Sequence, residues 1–188
     1  MKAADLEKAV LQQRGIHTML VSWAMDGNHQ FPNLPNDANA NFRELFKKRL
    51  LDSASEGLFA VPNDGSLQKG HPDGNIGDAP DFAKALEPGE CSIAYVAGLD
   101  TASNSDLPLL ISGAGPAPGW IMGVHKTPPI VPFRGGVAVT FPGGNTEILT
   151  PGPDGKILKM KGGKLLDIFS AEYGTKPENI RLPALVQK

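Results

Sequence analysis

Leu6, Val10, Ile16, Leu20 and Trp23, with Gln13 in the same register, recur at three- and four-residue spacing, and Ala9, Met19 and Ala24 widen the stripe. That period predicts a long amphipathic helix over about residues 4–26, packed through one face. Gly27 after Asp26 is placed to take the left-handed conformation that closes a helix, and Pro32 follows. Gly15 sits inside the pattern and weakens it by about 1 kcal/mol relative to alanine. Met1 and Lys2 run straight into the periodicity without a turn or cap, as in a helix whose preceding part has been removed.

Beyond an Asn- and Pro-rich loop from Asn33 to Asn39, Asn41 and Glu44 form a capping-box pattern ahead of Phe42, Leu45, Phe46 and Leu50. A second helix is predicted over about 41–52. Pro62 to Pro80 is polar and punctuated by Asp64-Gly65, Asp73-Gly74 and Gly77-Asp78, which predicts a long surface loop. The pattern then changes to short β-type runs at Ser92–Ala97, Leu109–Ser112, Trp120–Val124, Val137–Phe141, Thr146–Leu149 and Ile157–Met160. Gly143-Gly144-Asn145 reads as a hairpin turn, so neighbouring strands should be antiparallel. A short helix over about Leu165–Tyr173 and an irregular C-terminal strap over 174–188 complete the reading.

Helices first and strands later predict an α+β fold, with the long N-terminal helix laid on one face of an antiparallel sheet. Neither a repeat nor a boundary divides the chain, so one domain over 1–188 is expected, with the sheet at about 91–160. A length of 188 residues is enough to bury a core without staples. With 18 basic and 20 acidic residues, the overall charge singles out neither nucleic acid nor an anionic membrane as partner. The 22 glycines and 17 prolines point to long, defined loops. A lone Cys91 makes no intrachain disulfide, which leaves both the cytosol and an exported setting open.

Candidate chemistry is sparse. His17, His29, His71 and His125 lie far apart and at no zinc-like spacing from Cys91. Cys91 opens an apolar strand, where a buried and inert thiol is the usual state. Gly113, Gly115 and Gly119 do not make a phosphate loop, because Pro116 and Pro118 oppose the helix start such a loop needs. Lys156, Lys159, Lys161 and Lys164 form a basic cluster without interleaved aromatics, read as a solvated face, so no nucleic acid is expected as partner. Asp73, Asn75 and Asp78 put hard oxygen ligands around Gly74 and Gly77. A calcium ion could gather them, while such residues also populate ordinary turns. No other cofactor and no catalytic residue is expected, and the chain reads as a non-enzyme.

Three stretches carry a resemblance. QQRGIHTMLVSWAMDGNHQFPN, from Gln12 to Asn33, is similar to the segment of type IV pilin-like proteins where the N-terminal helix ends in an Asp-Gly turn and an aromatic-Pro pair. GECSIAYVAGL (Gly89–Leu99) and FRGGVAVTFPGGNTEIL (Phe133–Leu149) resemble the aromatic-bearing strand and the glycine-led hairpin of type II secretion pseudopilins. The chain has Val61-Pro62 where that family often has Cys-Pro, and Pro142-Gly143-Gly144 where it has Asp-Gly. The resemblance implies a pilin-like αβ roll whose apolar N-terminal half-helix is missing here. It further implies a structural subunit of a pilus-like filament or secretion pseudopilus, exported to the cell envelope and anchored in the inner membrane before assembly. Partners would be other pilin-like subunits or the assembly machinery, met through the missing helix, which would also be the sole membrane contact. Loops Asn63–Pro88 and Thr101–Pro118 would carry any binding surface. Alternatives are a surface module that binds a ligand or glycan, through Trp120 and the same loops, or a small hydrolase.

Overall fold

The computed structural model describes residues 3–61, 71–112, 136–152 and 155–186. Helix α1 spans Ala3–Met25. Its buried face runs through Leu6, Ala9, Gln13, Ile16, Leu20 and Ala24, while Val10, Met19 and Trp23 are only partly covered. The stripe is thus rotated from the predicted one, toward Ala9, Gln12 and Ala24. Asn28 and His29, not Gly27, take the positive φ that ends α1, at 57° and 64°. The His29 N–H donates to the Ala24 carbonyl at 2.9 Å, which closes the last turn.

Helix α2 spans Ala38–Lys47, three residues earlier at its start than the capping-box reading placed it. Asp37 is the true cap and accepts the Ala40 N–H at 2.8 Å. Asn41 lies inside the helix, where its side chain instead closes the preceding loop by accepting the Leu34 N–H at 2.8 Å. Residues beyond Lys47 leave the helix through Arg49, at φ 57°. Asp52 then caps a 3-10 helix over Ser53–Phe59, so the predicted extension to 52 belongs to a separate element.

Strands β1 (Ala94–Val96), β2 (Leu110–Ser112), β3 (Val137–Thr140), β4 (Thr146–Leu149) and β7 (Ile180–Arg181) form a five-stranded antiparallel sheet in the order β4-β3-β2-β1-β7. Tyr95, Leu110, Thr140 and Thr146 lie in one row across it, on the face covered by α1 and α2. The adjacent row of Ala94, Ile111, Val139 and Glu147 points the other way. Alternate residues therefore feed two separate cores, which explains why β1, β2 and β3 are buried throughout.

The second core is closed by the ribbon of β5 (Leu158–Lys161) and β6 (Lys164–Asp167) and by Ile168, Phe169 and Tyr173 after it. This replaces the helix predicted over 165–173. Gly162 and Gly163 both hold positive φ, at 56° and 78°, the pairing a two-residue hairpin turn requires. The C-terminal segment is likewise more ordered than a strap. Pro177–Asn179 is a short 3-10 helix leading into β7. Leu182 then accepts from Ala38 at 2.9 Å and Ala184 from Gly89 at 2.8 Å. The predicted strand Trp120–Val124 and His125 fall outside the described residues.

Candidate functional site

The helix that carries the family resemblance is joined to the sheet by hydrogen bonds as well as apolar packing. Gln13 is fully buried. Its Nε2 donates to Ser112 Oγ at 2.8 Å and to the Ala138 carbonyl at 3.0 Å, and its Oε1 accepts from Thr140 Oγ1 at 2.7 Å. Gln12 reaches the other way and donates to the Gly57 and Ala60 carbonyls. One turn on, His17 Nε2 lies 2.8 Å from the Pro142 carbonyl, at the β3–β4 turn. Gly144 in that turn has φ 85°, and a Cβ there would stand 3.0 Å from the His17 ring. The hairpin turn predicted at 143–145 thus serves as the seat of the helix.

The outward side of α1 is different. Lys8, Leu11, Arg14 and Met25 are exposed, and Leu11 and Met25 keep 67 % of their surface open. Thr18 and Ser22 turn their hydroxyls back onto the Arg14 and Thr18 carbonyls, each at 3.0 Å. Their donors are spent within the helix, so the outward side carries small side chains and two exposed apolar ones beside the charged Lys8 and Arg14. No helix among the described residues is long and apolar enough to cross a membrane.

The candidate calcium loop holds itself together. Asp73 Oδ1 accepts the Asn75 N–H at 2.7 Å and Asn75 Oδ1 accepts the Gly77 N–H at 3.3 Å. Gly74 and Gly77 supply the positive φ these turns need. Among the described residues no group of three or more His, Cys, Asp and Glu side chains is placed to hold a metal ion. The next stretch is fastened from outside: Asn39 Nδ2 donates to the Leu86 carbonyl at 2.8 Å and Arg43 Nε to that of Ala85 at 3.0 Å. Glu56 accepts the Leu86 N–H at 2.8 Å. Nothing in the local sequence of Glu56 marks it as buried, and it escaped the sequence reading.

The lysine cluster is divided by the ribbon's pleat. Lys156 and Lys164 face solvent, as read. Lys159 and Lys161 instead turn inward, with Lys159 Nζ 4.2 Å from the Phe141 ring centre and 2.9 Å from Glu147, and Lys161 Nζ 4.7 Å from the Tyr173 ring centre. Leu158, Met160 and Leu165 take the outward face. Cys91 is fully buried. Trp23 is half-buried against the core, and its Nε1 has no hydrogen-bond partner. His29 and His71 are exposed and separate from these contacts. Burial holds the Tyr95 phenol well above its ordinary pKa, so it stays a neutral donor to the Pro32 carbonyl at 2.7 Å. This bond ties the aromatic-bearing strand to the Phe31-Pro32 pair. Comparison of the chain with family models, with curated proteins and with solved structures gives no match.

Proposed function

We propose that this chain is the globular head of a type IV pilin-like subunit, a structural protein of a pilus-like filament or a secretion pseudopilus, exported to the cell envelope, with no catalytic role. The observation that carries the reading is the two-sidedness of α1. Its inner side is locked to the antiparallel sheet by Gln13 and His17, and its outer side leaves Leu11 and Met25 open. A rigid mount for one long helix with an accessible outer side is what a subunit needs if it assembles by packing helices side by side. The segments that bear the resemblance also support it, because they meet in space. Phe31 donates its N–H to the Leu99 carbonyl at 3.1 Å, and α1 lies on the hairpin of β3 and β4.

The natural gene tests this reading. Upstream of Met1 it should encode a short basic leader and about 20 apolar residues, enough to cross a bilayer as one helix. That segment should continue in frame into α1 without a proline or a glycine-rich break. A natural start at Met1 preceded by nothing apolar would overturn the proposal.

A further inference from the structure

Glu56 is 1 % exposed, on the 3-10 helix beneath the loop of residues 71–86. Its Oε1 accepts the Leu86 N–H, and its Oε2 is buried without a hydrogen-bond partner. The Gly74 N–H lies near enough to ease a charge on the carboxyl but completes no bond to Oε2. Among the described residues, the charged groups that act on Glu56 are acidic: Asp73 from the loop and Glu87 from the residues just past it. Arg43 of α2 reaches the same stretch, but its Nε donates to the Ala85 carbonyl. The loop is also held in costly backbone conformations, with Phe82 at φ 43° and Leu86 at φ 53°. A docked loop that stores such strain is easily tipped by one buried charge.

We propose that Glu56 is a pH-sensitive pin, which holds the 71–86 loop down as a neutral acid and releases it as a carboxylate. The inference stands on the Glu56 environment and does not depend on the filament reading. Loss of solvation, with Asp73 and Glu87 adding to it, holds the carboxyl above its ordinary range. A carboxyl with a raised pKa in the docked state binds its proton more tightly there. Docking is therefore favoured fully at low pH, and the advantage is lost as pH rises from the ordinary value through the raised one. Residues 71–86 lie within Asn63–Pro88, where the family resemblance would place a binding surface, and on that reading alone the pin would also couple such a contact to acidity.

Amide hydrogen exchange of the full chain from about pH 4 to about pH 8, corrected for intrinsic exchange, tests the pin. The amides to follow are Leu86 and Lys84, which donate to Glu56 and to the Ile76 carbonyl. Their protection should fall about tenfold per pH unit within the transition, the limit for one linked proton. In Glu56→Gln, which keeps the acceptor for Leu86, that dependence should vanish. Asp73→Asn, at an exposed site, should move the transition to lower pH by removing a neighbouring negative charge. Flat protection in the parent, the same pH dependence in Glu56→Gln, or an unmoved transition in Asp73→Asn would each overturn the proposal. The Asp73 variant decides the matter if Glu56→Gln does not fold.

Discussion

The two faces of the five-stranded sheet are closed by different means. Under α1 the closure is directional: Gln13 makes three bonds to Ser112, Ala138 and Thr140, and these fix where along the sheet the helix sits. Under the β5–β6 ribbon it is mainly apolar, with a directional bond in the partly exposed Lys159–Glu147 ion pair at 2.9 Å, at the edge of the core. There Ile157, Ile168, Phe169 and Tyr173 fill the core, and Lys159 and Lys161 lie over aromatic rings. Apolar plugs and ring–cation contacts have shallow angular preferences, so they seal a face without fixing a register as a buried amide does. The helix face is built to hold position, and the ribbon face to exclude water.

The contrast breaks most completely at Leu20, which is fully buried at the centre of the helix face. Leu20→Asp should cost about 4 kcal/mol or more, by burying an unpaired charge and removing a large apolar group. Denaturant unfolding would measure it, and a parent-like midpoint would mean that α1 does not pack through this side. Gln13→Ala removes the directional bonds with little loss of apolar area. It leaves Ser112, the Ala138 carbonyl and Thr140 short of partners, and should cost about 2–3 kcal/mol. A change within about 0.5 kcal/mol, the level of an ordinary surface substitution, would show that packing alone seats the helix and would erase the distinction between the two faces.

Where the chain follows a single period, its structure was legible. The three- and four-residue recurrence located α1, and the alternation around Gly143-Gly144-Asn145 located the β3–β4 hairpin. Boundaries moved where two caps competed: Asp37 and Asn41 both suit a helix start, and Asn41 was drawn off by the Leu34 backbone. In the ribbon the run Ile157–Met160 is β5, but the pattern at β6 reads as a helix and the lysines as a solvated face because the polarity is inverted, with Lys159 and Lys161 inward and Met160 and Leu165 outward. Gly162-Gly163 carried the missing hairpin signal. Strand β7 has two residues, and only its distant partner β1 makes it a strand. For the candidate site, Asp73 and Asn75 were correctly seen as oxygen-rich, but the backbone N–H groups that claim them are a matter of turn geometry. Burial of Glu56 arises from the packing of Leu86 and its neighbours, some 30 residues away in sequence, and no local pattern announces it.

The smallest expected effect, and the sharpest on the outer side of α1, is at Gly15. This residue lies mid-helix, and a Cβ built on it meets nothing within 4 Å. Neither a positive φ nor a close neighbour in the described residues requires glycine there. Alanine should therefore stabilise the isolated chain by about 0.5–1 kcal/mol, through the lower backbone entropy of the unfolded state. In a protein of this size that raises the melting temperature by about 2 °C. A lowered melting temperature would show that the outer side is already covered within the chain, and the contrast between a locked inner side and an open outer one would fail. If subunits pack closely along this side in a filament, the added methyl should weaken assembly of the full-length protein while it stabilises the lone head. Measuring both in the same variant separates a glycine kept for a neighbour from one of no consequence.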